Sequence, residues 1–273
     1  MSYAVVIPAR LHSSRLPRKM LADIAGKPLI AHAVDRANES NANRVVVATD
    51  HQSIADVLVN SDCEVCMTRD DHVSGSERLS EVINTLDFGS EEIIVGVQGD
   101  EPLVPGKLID LVASSLELAE DAVVSTAAKP IDNIDDYQNP NVVKVVFDRN
   151  GKAMYFSRAA IPYAVEPQSE KQKKKELQLT RQRSANQSGK KKPHTMGSNR
   201  AWHHIGIYAY RADYLRNYHT LVPSVLEQSE RLEQLRVLDN GDTIMVETVD
   251  YEVGLGVDTQ ADLDFVRTEF AKR

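Results

Sequence analysis

The feature that most constrains the fold is the alternation of short apolar runs with amphipathic stretches through the first 130 residues. Residues 3–7 (YAVVI), 44–48 (RVVVA), 64–67, 92–98 (EIIVGVQ) and 122–127 read as strands. Residues 29–37, 50–59, 76–86 and 107–119 read as the helices between them. Pro28 suits a first helical turn, Asp50 is placed as an N-cap, and Ser76 and Leu79 stand as a cap and first apolar residue. Strands alternating with helices predict an α/β fold whose mainly parallel sheet is covered on both faces. The nearly all-apolar 92–98 is expected at its centre. In such sheets ligands sit at the carboxyl ends of the strands.

The second half changes character. Residues 141–147 and 152–156 read as a strand pair around Arg149-Asn150-Gly151, 204–210 and 243–249 as further strands, and 230–238 and 260–270 as helices. Residues 163–200 lack periodicity and are rich in Lys, Gln, Ser and Asn, which predicts a mobile insertion or partly ordered loop. Residues 165–201 hold ten Lys/Arg against three Glu, or +7; the chain's net −8 therefore leaves −15 on the remainder. That acidic body argues against a dedicated nucleic-acid binder. No apolar stretch reaches the roughly 20 residues of a membrane span, and residues 4–9 are too short for a signal h-region. Cys63 and Cys66 form C-E-V-C inside an alternating run with no second cysteine pair, so strand cysteines are favoured over a metal or redox site. The expected setting is a reduced cytoplasm, without nucleic-acid or membrane partners.

Two constellations carry chemistry. Directly after the first strand, Arg10, Arg15, Arg18 and Lys19 place four cations within ten residues. By themselves they fit either a solvated basic loop or a seat for a strongly anionic group such as a triphosphate. No GxxxxGK[S/T] loop and no GxGxxG follows that strand, and Gly254-Leu255-Gly256 is only a fragment of one. Phosphate binding would therefore fall to side chains. The second constellation is VQGDEP (97–102), which projects Asp100 and Glu101 from the end of an apolar strand. Carboxylates there suit a hard divalent cation bridging to phosphate, with a turn or capping role as the alternative. Asp258 in GVDT (256–259) is a second such acid, though Asp258 or Thr259 could equally cap the last helix. Separated carboxylates and a cationic loop together suggest metal-assisted nucleotidyl transfer.

The motifs VVIPAR…SxRLPxKxL, VATD (47–50), SGSERL (74–79), VQGDEP, NPNxVKVV (139–146), YFSRAxIP (155–162), HxGIYxYR (204–211), LEQLR (232–236) and GVDT occur in the order of the CMP-Kdo synthetase family, where Kdo is 3-deoxy-manno-octulosonate. The chain resembles that family throughout, except at about 165–200. The resemblance implies a GT-A-like, Rossmann-like sheet with a smaller lobe of additional strands. It implies one domain, residues 1–273, with a nucleotide-binding half (1–130), a sugar-binding lobe (131–258) and a C-terminal helix (259–273). The implied enzyme is a Mg²⁺-dependent cytidylyltransferase for lipopolysaccharide biosynthesis: the sugar's anomeric hydroxyl attacks the α-phosphate of CTP, giving CMP-Kdo and pyrophosphate. A homodimer is implied as well. Carried over by position, Arg10, Arg15 and Lys19 would hold the triphosphate, and Ala9, Asp50, Ser76, Arg78 and Gln98 the cytidine side. Asp100 and Asp258 would bind Mg²⁺. Arg158, His204, Tyr208, Glu233 and Gln234, with Gln98, would shape the sugar pocket. Arg10, Lys19 and Asp100 carry the catalytic expectation. Arg158 is a sensible partner for the sugar carboxylate and His204 or Tyr208 for its hydroxyls. Tyr208 as core and Glu233 as an exposed helix charge remain open.

The chain departs from the family pattern at Arg18 and Met20, where a small residue and Pro are expected, and in the long basic segment before His204. That segment could be a lid, a subunit contact or an inert insertion, the last being favoured. The sugar could be Kdo or its 8-amino derivative. Alternatives are a synthetase for another acidic sugar of the sialic-acid type, and a non-enzymatic polyanion-binding protein acting through the insertion.

Overall fold

The computed structural model describes residues 2–72, 74–163 and 201–272. The basic segment singled out above, with its predicted mobility, lies almost wholly outside the described residues.

Strand β1 (Tyr3–Ala9) is buried along its whole length because helices cover both of its faces. Tyr3, Val5, Ile7 and Ala9 point to one core, and Ala4 and Val6 to the other, as the period of two requires. Helices α1 (Leu29–Asn38) and α4 (Gly106–Leu118) bury Ile30, Val34, Leu108 and Val112 in the first core. Helix α3 (Gly75–Thr85) buries Leu79, Val82 and Ile83 in the second.

β1 pairs in parallel with β4 (Arg44–Thr49) on one side and β6 (Ile93–Gly96) on the other, and β4 pairs in parallel with β5 (Glu64–Met67). Beyond β6 the sheet continues through β10 (Ala201–Arg211), which is antiparallel to both β6 and β7 (Val124–Ile131), and ends at β11 (Ile244–Thr248), parallel to β7. Much of the second half thus extends the same sheet. The additional strands β8 (Lys144–Phe147) and β9 (Ala153–Ser157) branch from β10 as an antiparallel pair. A two-residue pair, β2 (Asp23–Ile24) and β3 (Lys27–Pro28), lies apart.

Several local expectations are corrected. The helix expected at 50–59 shortens to α2 (Gln52–Asp56), and His51, not Asp50, caps it: the imidazole accepts from the Ser53 N–H at 3.1 Å. Ser74, not Ser76, caps α3 by accepting from the Glu77 N–H at 3.2 Å. The helix expected at 230–238 is two helices, α7 (Val225–Glu230) and α8 (Gln234–Asp239). They are separated by Arg231 in the left-handed region (φ 54°), a helix stop that nothing in its side chain announces. Short helices α5 (Ile134–Gln138) and α6 (Ala212–Asn217) add to the second half. The last helix, α9 (Gln260–Phe270), has the expected bounds and packs Leu263 and Val266 on Ile24, Leu29 and Val257. Both cysteines are free, with Cys66 in β5 and Cys63 just before it. No helix among the described residues is long and apolar enough to cross a membrane.

Candidate active site

The carboxyl ends of β1 and β6 meet at an open cavity of about 230 Å³. Two backbone contacts build it. The Val257 N–H donates to the Asp100 carbonyl at 2.8 Å, which ties the GVDT loop to VQGDEP. Gly99 passes so close to β1 that a Cβ there would lie 3.0 Å from the Pro8 carbonyl oxygen and 3.2 Å from the Met20 sulfur. Gly254 is equally constrained, since a Cβ would lie 2.1 Å from that of Leu103. Gly99 of VQGDEP and Gly254, two residues before GVDT, are therefore packing requirements that bring two acidic loops together, whereas a Cβ at Gly256 would meet only ordinary contacts, 3.5 Å from Glu101 Cγ.

The result is a charge knot. Lys19 Nζ donates to Asp100 Oδ2 at 2.5 Å and to Asp258 Oδ1 at 3.0 Å, and Arg15 holds the other Asp258 oxygen at 2.9 Å. The Lys19 side chain is only 9% exposed, so its charge is held inside the site and not in bulk solvent. The capping alternative for Asp258 fails: Thr259 caps α9 in a reciprocal capping box with Asp262, which leaves the Asp258 carboxylate to the cations. Burial and the neighbouring Asp100 and Asp258 push the Glu101 carboxyl up to about 8. The departures from the family pattern separate here. Met20 is buried in the core beneath Gly99, whereas Arg18 is exposed and left-handed (φ 55°) at the turn into Lys19.

Arg78 closes the far wall. Its guanidinium donates to the Thr68 hydroxyl and to the Arg69 carbonyl and pairs with Asp50 at 3.4 Å. Burial lowers its pKa and the Asp50 charge raises it, with burial the larger effect. Asp50 in turn accepts from the Leu11 N–H at 3.0 Å, so this acid anchors the cationic loop from behind Arg78 and does not itself line the cavity. Ala9, Arg10 and Gln98 do line it. So do His12, Ser13, Ser14, His72, Ser74 and Gly75, which the sequence reading did not single out. Their signal was available: they lie within or beside motifs already marked, and Ser74-Gly75 opens α3, whose first N–H groups favour an anion.

A second cluster lies on the other side of the α3 N-terminus. The Ser76 hydroxyl donates to Glu233 Oε1 at 3.1 Å and lies 3.0 Å from the Tyr210 hydroxyl. It therefore faces this second cluster and not the first cavity. The Glu233 carboxylate is buried, which removes the exposed-charge alternative and raises its pKa. Its Oε2 and Gln234 Nε2 have no hydrogen-bond partner among the described residues. Buried acceptors and donors are rarely left so. A register shift in β10 between Ile205 and Tyr208 lets the His204 and Tyr208 rings approach to 5.4 Å. The Thr126 hydroxyl lies 2.7 Å from the Ile207 carbonyl and 2.9 Å from His204 Nε2. With one hydrogen to give, it donates to the carbonyl and accepts from Nε2–H. Burial drops the His204 pKa to about 3, so the imidazole is neutral. Tyr208 is buried too, and its phenol is held well above its usual pKa.

Arg158 follows β9. Its Nε donates to the Glu230 carbonyl at 2.8 Å and its Nη1 to the Pro140 carbonyl at 3.0 Å, while Glu230 accepts from its backbone N–H at 2.9 Å. The structure thus gathers Arg10, Arg15, Lys19, Asp100 and Asp258 at one cavity. His204, Tyr208 and Glu233 lie in the second cluster, with Ser76 between the two.

Two carboxylates held 2.5 and 3.0 Å from one ammonium fit a small hard cation, which commonly takes one or two protein carboxylates and fills its remaining positions with phosphate and water. Among the described residues no group of three or more His, Cys, Asp or Glu forms an all-protein cage.

Residues 4–244 match the family model described as cytidylyltransferase. The chain is 48% identical over 267 residues to the 3-deoxy-manno-octulosonate cytidylyltransferase of Yersinia enterocolitica and 47% identical to that of Serratia proteamaculans, with 98% of each chain covered. The corresponding protein of Pectobacterium carotovorum is 47% identical over the full length of both chains. The solved structure of CMP:2-keto-3-deoxy-manno-octonic acid synthetase complexed with CTP is similar at a TM-score of 0.82 and 35% identity, covering 99% of each chain. A 4-diphosphocytidyl-2C-methyl-D-erythritol synthase from Anaerococcus prevotii, at 12% identity and a TM-score of 0.60, shares the fold alone.

Proposed function

Because the chain belongs to the cytidylyltransferase family, and within it to the 3-deoxy-manno-octulosonate cytidylyltransferases, we propose that it transfers CMP from CTP to the anomeric hydroxyl of Kdo. The α–β phosphoanhydride bond breaks as the sugar oxygen bonds the α-phosphorus, and pyrophosphate leaves. The observation that carries this reading is the Arg15–Asp258–Lys19–Asp100 knot at the carboxyl end of β1, beside the N-terminus of α3.

The roles follow from that geometry. Arg10, Arg15 and Lys19 face the triphosphate and offset its charge; without them an acidic body would repel it. Ala9, Arg78 and Gln98 line the nucleotide side and Asp50 holds that wall in place, while Ser76, expected on the cytidine side, bonds instead to Glu233 in the second cluster. Asp100 and Asp258 would hold Mg²⁺, which supplies charge neutralisation at the α-phosphate. His204 serves as a neutral hydrogen-bonding imidazole beside Tyr208. The unpartnered Glu233 Oε2 and Gln234 Nε2 offer an acceptor and a donor to a polyhydroxylated sugar. Arg158 keeps part of its guanidinium for the sugar carboxylate. Residues 1–130 would then serve mainly the nucleotide and 131–258 the sugar. A cytoplasmic homodimer is part of the same proposal, and its support is the family resemblance alone.

The test is pyrophosphate release at fixed CTP and Mg²⁺ with Kdo, 8-amino-Kdo or sialic acid. Release with Kdo above the sialic acid background is expected. No release with either octulosonate would overturn the reading, and preference for the 8-amino sugar would reassign the substrate.

A further inference from the structure

Lys144, the first residue of β8, is fully buried, yet its bonded partners are three main-chain carbonyls: Asn139 at 2.8 Å, Val142 at 2.5 Å and Arg158 at 2.8 Å. A buried ammonium without a bonded carboxylate is costly, and an apolar side chain of similar length would avoid that cost. What the charge achieves is visible in its partners. Two of the carbonyls belong to the 139–142 turn and the third to Arg158. The same turn presents the Pro140 carbonyl that receives Arg158 Nη1 at 3.0 Å. Lys144 therefore fixes both the residue that carries the guanidinium and the turn that accepts from it. Glu230 completes the hold from the other side, through its carboxylate to the Arg158 N–H and its carbonyl to Nε. The neighbouring residue Val143 accepts from the His204 N–H at 2.9 Å, so the same short segment also borders the second cluster.

We propose that Lys144 is a positioning residue for the sugar carboxylate, setting the pose of the Arg158 guanidinium without touching substrate. This rests on the reading of Arg158 given above. Removing the ammonium frees the turn and the Arg158 backbone together, and the guanidinium loses its preset aim. Preorganisation of this kind acts on affinity for one substrate and leaves the other alone.

The experiment measures Kdo and CTP KM values for the wild type, Lys144→Met, Lys144→Gln and Arg158→Ala, together with inhibition by Kdo's C1 amide. Lys144→Met is expected to raise the Kdo KM about tenfold or more, the scale of a lost charge-assisted hydrogen bond, with the CTP KM within about twofold. The wild type's preference for the carboxylate over the amide should narrow in the same variant, which general loosening would not produce. Lys144→Gln keeps a donor in the pocket and should fall between the two; it gives the reading if the methionine variant does not fold. If Arg158→Ala raises the Kdo KM but neither Lys144 variant does, the positioning proposal is overturned while the Arg158 assignment stands. If Arg158→Ala leaves the Kdo KM unchanged, the Arg158 assignment itself fails. Equal losses for Kdo and CTP in the Lys144 variants would mean a purely structural lysine.

Discussion

His204 carries a quantitative prediction for stability. Burial against Phe156 and Tyr208 lowers its folded-state pKa from 6.5 to about 3. Between those values the unfolded chain binds a proton that the folded chain refuses, so stability is lost as pH falls and is fully present above about 6.5. At about pH 5 the penalty is roughly 1.5 pH units' worth of binding, or about 2 kcal/mol, and at about pH 7.5 it is close to zero. The neighbouring His203 is also lowered by burial and by the Lys129 charge, and it adds loss of the same sign. A variant that removes only His204 separates the two. Urea unfolding of the wild type and of His204→Gln at both pH values is the assay. The wild type should lose about 2 kcal/mol more than the variant on going from the higher to the lower pH. The variant's absolute stability does not enter, because only the pH dependence is compared. Equal losses in both proteins would refute a neutral buried imidazole, and with it the hydrogen-bonding role given to His204.

Other perturbations act on single contacts. Lys19→Ala should raise the CTP KM by about tenfold or more, read in the pyrophosphate assay; an unchanged value would remove Lys19 from the triphosphate. Gly99→Ala forces a Cβ to 3.0 Å from the Pro8 carbonyl oxygen and 3.1 Å from Ile30 Cδ1. It should cost about 1–3 kcal/mol by thermal or urea melting, and wild-type stability would show that the β1–β6 contact gives way. Glu227→Gln breaks the two-point grip of Glu227 on Arg236, at 2.8 and 2.7 Å, which ties α7 to α8. A loss of about 3 kcal/mol is expected, with a raised Kdo KM because Glu233 lies in that corner; a loss below about 1 kcal/mol would class the pair with surface bridges.

Much of this was legible in the sequence, for identifiable reasons. The strands at 3–9, 44–49 and 93–96 were found because burial on both faces makes them continuously apolar. The final helix was found because its start and period are both explicit. The convergence of Lys19, Asp100 and Asp258 is implied by the family resemblance, whereas the residues alone give only separate motifs; the contact needs the Val257 bond to the Asp100 carbonyl, and a backbone bond leaves no trace in residue type. Ser74 and Ser76 offer the same hydroxyl two positions apart, and only the backbone decides that Ser74 is the one that caps. The break at Arg231 was hidden because a left-handed residue is usually signalled by Gly or Asn, and here it is an arginine. Lys144 was unreadable as a buried cation, since nothing in a single sequence distinguishes an ammonium held by carbonyls from one in solvent.

If the acidic arm of the knot serves nucleotidyl transfer, Asp100 is the residue whose loss shows it. The most direct measurement is pyrophosphate release from CTP and Kdo in Mg²⁺, comparing the wild type with Asp100→Asn, with circular dichroism of both. An unchanged spectrum and a rate lower by a factor of about 100 or more, the scale of one lost transition-state charge contact, are expected. A folded Asp100→Asn with near-wild-type turnover would contradict it.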